Sequence, residues 1–175
     1  MIINRGFKDF KFQHKRKKNQ IIYTSKNVKN DENIINLIDN FLVEKNSFIF
    51  ESVEKGKIKG RYTIFGKNPD KIWEFNKDNS FLVKNKKKIR LKNKPAQLIE
   101  EIIENFKFKI PPGLPPISSL ISGYFSYDSI RYIEKIPNSC KDDLKIPDVR
   151  LLRPRTLIIY DNLKKKIFYL SLIHI

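Results

Sequence analysis

Between Ser47 and Leu91 the chain carries five short runs of branched and aromatic residues, and no gap between them is long enough for a helix. The runs cover 47–53, 59–65, 71–75, 81–84 and 88–91. Gly66-Lys67-Asn68-Pro69, Asn76-Lys77-Asp78-Asn79 and Asn85-Lys86-Lys87 stand between the later ones as turn signals, because Gly, Asn, Asp and Pro tolerate the backbone angles of a reversal. A parallel pairing needs a crossover of about a dozen residues or more, so gaps this short dictate hairpins. The stretch therefore reads as antiparallel sheet with one wet face, where its many lysines lie.

Two segments have helical periodicity. Asp31 to Glu44 places Ile34, Ile35, Ile38, Phe41 and Leu42 on one face, with Asn30 or Asp31 as cap. Lys94 to Phe106 begins with Pro95, suited to a first turn, and carries Leu98, Ile99, Ile102, Ile103 and Phe106 as its buried stripe. Glu100, Glu101 and Glu104 fall on its water face. Further strands are expected at 20–25 and 120–126, a short helix at 128–133, and a hairpin from Arg155–Tyr160 to Ile167–Leu170 across Asp161-Asn162-Leu163-Lys164. The proline-rich 111–116 reads as a stiff loop. Strands outnumber helices and do not alternate with them, so the fold class is α+β, mainly antiparallel sheets packed with a few helices.

At 175 residues the chain has room for one sizeable domain, assigned to 21–170 after a basic arm at 1–20. Forty per cent hydrophobic residues is enough for a core and excludes wholesale disorder. No apolar run approaches the roughly 20 residues of a membrane helix, and Met1–Arg5 does not open a signal peptide, so a cytoplasmic protein is expected. Cys140 is the only cysteine, which excludes an internal disulfide and a thiolate metal cluster.

The net charge of +17 raises a stand-alone basic nucleic-acid-binding module as one alternative. The excess is mostly lysine, accompanied by abundant Asn, Ile and Phe, the signature of A/T-rich codons. Zinc-finger spacing and aromatic-glycine RNA-binding motifs are missing. A nucleic-acid partner is therefore not expected. The basic residues concentrate at 5–29, with nine basic side chains against the single acid Asp9, which reads as a solvated arm.

Glu51 stands out as an acid inside an apolar strand, flanked by Phe48, Ile49, Phe50 and Val53. Alternation sends Phe50 and Glu51 to opposite faces. A carboxylate there requires a cation or several donors. On pattern alone it is either a solvated acid paired with a lysine such as Lys57 or a binding group.

Four segments carry a family resemblance. Phe48-Ile49-Phe50-Glu51-Ser52-Val53-Glu54 precedes Gly60-Arg61-Tyr62-Thr63-Ile64-Phe65-Gly66. Ile121-Ser122-Gly123-Tyr124-Phe125-Ser126-Tyr127-Asp128 and Arg131-Tyr132-Ile133-Glu134-Lys135-Ile136-Pro137 follow. In this order, over about 47–169, they resemble the N-terminal domain of anthranilate synthase component I. The resemblance implies a feedback site for tryptophan at Phe50, Glu51 and Ser52, where the family has Leu-Glu-Ser. Arg61, in a Gly-Arg-Tyr-Thr that matches Gly-Arg-Tyr-Ser, would back Glu51 or touch the effector. Gly123–Asp128 would be structural, with Tyr124 and Tyr127 as core aromatics. Arg131 would pair with Glu134, and Asp142, Asp143 and Asp148 would anchor loops.

The resemblance also implies a parent enzyme that turns chorismate, with ammonia delivered from glutamine by a separate amidotransferase subunit, into anthranilate and pyruvate. Mg²⁺ held by glutamates would bind chorismate. Those groups belong to a chorismate-binding domain before which this chain is expected to be truncated, so no catalytic or metal residue is assigned in it. His14, in the arm, and His174, near the end, are not read as general bases. Leu170-Ser171-Leu172-Ile173-His174-Ile175 resembles a translated sequencing adaptor, and 171–175 is expected to be a non-biological tail. The paralogous aminodeoxychorismate synthase component I, of the folate pathway, is the other family reading.

Overall fold

In the computed structural model, residues 11–12, 14–16, 19–29, 40–51, 60–106, 109–137, 139 and 141–173 are described. Their strands are β1 (Gln20–Asn27), β2 (Phe48–Phe50), β3 (Tyr62–Asn76), β4 (Asn79–Lys84), β5 (Lys87–Leu91), β6 (Ser122–Phe125), β7 (Val149–Asp161) and β8 (Lys166–Ile173). The α-helix α1 (Pro95–Asn105) and a 3-10 helix (Tyr127–Tyr132) stand among them, and helical backbone also occurs at 11–12, 14–15 and 40–41. The antiparallel, strand-dominated α+β class read from the sequence is what the chain adopts.

The chain divides into two compact units, one of 1–69, 108–120 and 154–175, the other of 70–107 and 121–153. In the first, β1 runs antiparallel to β8, from Gln20 opposite Ile173 to Asn27 opposite Lys166. β8 pairs in turn with the C-terminal half of β7, Thr156 opposite Ser171 and Asp161 opposite Lys166. β2 pairs with the start of β3, Phe48 opposite Gly66 and Phe50 opposite Ile64.

The run Leu157-Ile158-Ile159-Tyr160 is apolar at every position because both of its faces are covered. Leu157 and Ile159 join Ile21, Phe168, Leu170 and Leu172 in one buried cluster. Ile158 and Tyr160 join Phe41, Phe65 and Ile167 in another. Ser171, Leu172 and Ile173 continue β8, with Leu172 in the first cluster.

In the second unit the end of β3 pairs with β4, and β4 with β5, both antiparallel. The β4–β5 turn has Asn85 and Lys86 both at positive φ, 51° and 62°, the geometry of a two-residue hairpin loop. β6 pairs with the start of β7, Ser122 opposite Leu152 and Phe125 opposite Val149. α1 lays Leu98 and Ile102 on Trp73, Phe75, Val149 and Leu151.

Several expectations change. Gly66–Pro69 is no turn but the middle of the 15-residue β3. Asn68 takes a left-handed backbone (φ 54°) inside the strand, so residues that signal a reversal here make a bulge-like irregularity instead. The strand expected from Arg155 begins at Val149 and passes through the buried Pro154. Of the helix expected at 31–44, residues 31–39 lie outside the described set. Phe41 is buried as expected, but Leu42 is half exposed, since the chain has already left the helix there.

In α1, Ile103 is 66% exposed rather than part of the stripe. It stands about 100° round from Ile102, beyond the width of the face that Leu98 and Ile102 press on the sheet. Ile103→Gln is accordingly expected to change stability by less than about 0.5 kcal/mol in urea unfolding, and a loss well beyond that would return Ile103 to the core.

The aromatics after Gly123 are likewise not core. Tyr124 and Phe125 are exposed, and Tyr127 is 87% exposed. β6 buries only Ser122, so the residues after it face outward. Tyr132, which the resemblance did not single out, is the aromatic packed against the α1 cluster. Its hydroxyl donates to Asp148 at 3.0 Å, and burial together with that carboxylate raises its pKa well above the ordinary phenol value. Arg131 pairs with Asp128 (2.8 Å), not Glu134: both are three residues away, but Asp128 lies within the 3-10 helix, which stacks such residues, and Glu134 lies past its end. Its Nη1 also donates to the carbonyls of Ile136 and Pro137. Asp142 and Asp148 do anchor loops, accepting from the backbone N–H of Lys145 and Lys77.

Candidate functional site on the paired strands β2 and β3

β2 is short, and each of its residues has a different task. Ile49 packs against the cluster of Phe41 and Phe65. Phe48 turns the other way and packs toward Leu157 and its neighbours, its ring lying over Gly66. A Cβ at position 66 would overlap that ring, so the glycine makes room for Phe48. Phe50 shares the face of Phe48, with ring centroids 5.1 Å apart, and remains 47% exposed. Glu51 follows at the end of the strand, exposed, and makes no ion pair among the described residues. Ser52 and Lys57 lie outside the described set.

Gly60, at φ 72°, opens the segment that returns as β3. This segment is latched onto the turn between β7 and β8. The Asn162 N–H donates to the Arg61 carbonyl at 2.8 Å. The Asn162 side-chain amide donates to the Gly60 carbonyl and, at 3.3 Å, to the buried Thr63 hydroxyl. Arg61 grips Asp161 with two parallel hydrogen bonds, Nε to Oδ1 at 3.1 Å and Nη2 to Oδ2 at 2.7 Å. The guanidinium also sits 4.9 Å from the centre of the Tyr62 ring.

Asp161 is 2% exposed. Burial alone would raise its carboxyl, but the Arg61 guanidinium and the backbone N–H groups of Lys164 and Leu163 outweigh it and hold the pKa below the ordinary value. The same hydrogen bonds raise Arg61. Arg61 is thus committed to Asp161, and its fork is not turned to Glu51. Its task in this arrangement is positional, fixing where β3 begins beside the end of β2.

The structure therefore brings Phe50 and Glu51 to one exposed strand end and places Arg61 behind it on the latch. Asp161 and Asn162 are what sequence reasoning missed. Their only signal is an Asp-Asn pair closing an apolar run, which reads equally well as an ordinary turn. Among the described residues, no group of three His, Cys, Asp or Glu side chains can hold a metal ion. No described helix is long and apolar enough to cross a membrane.

Fold and site together define an antiparallel α+β domain that presents an acidic side chain at a strand end. Comparison with known proteins names the family. The chain is 30% identical to anthranilate synthase component 1 of Cereibacter sphaeroides over 167 residues, 93% of this chain and 33% of that protein. It is 33% identical to anthranilate synthase component 1 of Acetivibrio thermocellus, over 82% of this chain and 29% of that one. It is also 32% identical to a chloroplastic anthranilate synthase alpha subunit of rice, over 70% of this chain and 23% of that one. No protein-family model matches the chain. The chain belongs to the anthranilate synthase component 1 family and spans about a quarter to a third of the length of the curated relatives it matches.

Proposed function

We propose that this chain is the effector-binding, N-terminal part of an anthranilate synthase component I, and that its ligand is tryptophan. The observation that carries the reading is Glu51, an exposed carboxylate at the end of β2 without an ion pair among the described residues, in the Phe50-Glu51-Ser52 segment. A carboxylate there can hold the ammonium of an amino acid, a hydroxyl or N–H beside it the carboxylate, and the exposed ring of Phe50 an aromatic side chain. Arg61 acts through the latch, holding the strand that borders the site.

In the parent enzyme, tryptophan would favour an inactive arrangement by binding it more tightly than the active one. The reaction would convert chorismate and ammonia, supplied by a glutamine amidotransferase partner (component II), into anthranilate and pyruvate. Mg²⁺ would be held outside the described residues, which offer it no ligand cluster.

Glu51→Gln and Ser52→Ala, assayed in the full-length enzyme, are expected to raise the tryptophan concentration for half-inhibition about tenfold or more, the loss of one charge-assisted hydrogen bond. Uninhibited turnover should stay within about twofold. Unchanged inhibition in both variants would remove the assignment.

A further inference from the structure

Beside the last turn of α1 the second unit leaves a small cavity of about 190 Å³. Its apolar walls come from Trp73 of β3, Ile102 and Phe106 at the helix end, and Ile121 before β6. Two cations reach the same space, Lys71 and Arg153. Strand alternation puts them there: Lys71 precedes Trp73 by two residues, and Arg153 follows the buried Leu151 by two.

Their situations differ. Arg153 is tied to Asp70, with Nε 2.8 Å from Oδ1 and a second bond from Nη2. Lys71 makes no hydrogen bond or ion pair among the described residues. Burial lowers its pKa, Arg153 and Lys84 push the same way, and Asp70 opposes them. The acid in the lining, Glu101, is exposed and accepts the Asn93 amide at 3.0 Å. A half-buried ammonium that makes no ion pair among the described residues, beside a second cation and an apolar wall, is matched by an anion that brings its own apolar body.

We propose that this cavity binds a small aromatic monocarboxylate, its ring against Trp73 and its carboxylate on Lys71. The volume lies below the range of about 300–1,000 Å³ found for drug-sized ligands, which limits the guest to a single ring. The site is in the other unit from Phe50 and Glu51 and does not depend on the role proposed for them. The competing account needs no ligand: the Lys71 stem covers Trp73 while its ammonium faces the carbonyls at the helix end.

Trp73 is the only tryptophan of the chain, so its emission reports directly on the cavity. The full chain would be titrated with benzoate and, in parallel, with benzyl alcohol, which has the ring but no charge. The expected result is a saturable change with benzoate, at least about tenfold weaker with benzyl alcohol and about tenfold weaker in Lys71→Met. No response to benzoate, equal responses to the two probes, or a benzoate response that Lys71→Met retains would each overturn the proposal. If Lys71→Met does not fold, the contrast between the two probes in the unchanged chain decides it.

Discussion

Gly123→Ala is expected to cost about 3 kcal/mol and lower Tm by roughly 10 °C, the scale for overpacking in a domain of this size. Gly123 sits opposite Leu151 in the β6–β7 ladder. A Cβ at this position would overlap the carbonyl of Arg150 and crowd the Leu151 Cα. These are backbone atoms of a paired strand, so no side-chain rotation relieves the overlap. β6 must move away or the ladder must open. The measurement is urea unfolding of the chain and its variant followed by circular dichroism. A midpoint unchanged within error would mean that β6 does not approach β7 this closely.

Asp161→Ala is the second large effect, about 2 kcal/mol at neutral pH. It strips one buried carboxylate from the Arg61 fork and from the N–H groups of Leu163 and Lys164. The pH dependence gives this prediction its sign. The folded pKa of Asp161 lies below its ordinary value of 3.8. Its contribution is therefore fully present above that ordinary value and is lost as pH falls through the lower folded pKa. The stability difference between the chain and Asp161→Asn should stay flat from pH 7 to about 5 and narrow below about 4. Glu74, also held low because Lys88 and Arg150 outweigh its burial, is common to both proteins and cancels in the difference. A difference that stays constant into strong acid would remove the carboxylate from the latch.

The hairpins of β3–β4 and β4–β5 were legible because their turns use residues that favour a reversal, Asn76 to Asn79 and Asn85 to Lys87, between short branched and aromatic runs. Gly66–Pro69 misled for a physical reason. A bulge and a reversal both need a residue at positive φ, and Asn68 supplies it without saying which will form. The aromatic residues after Gly123 misled because hydrophobicity alone does not say which face of an edge strand is covered. In the candidate site, Phe50 and Glu51 were visible as an acid in an apolar strand. The commitment of Arg61 to Asp161 was not, since the partners are 100 residues apart and no local pattern ties them.

The pairing of β1 with β8 sets the order in which the protein can be built. Gln20 leaves the ribosome well before its partner Ile173 is made. At the usual pace of about 5–20 residues per second, β1 waits on the order of ten seconds for β8. The segments 70–107 and 121–153 are complete before then, so the second unit can fold while the first still lacks a strand. During that interval Ile21 and, once made, Leu157 and Ile159 of β7 lack the cover of β8, which leaves the nascent first unit with apolar surface open to aggregation.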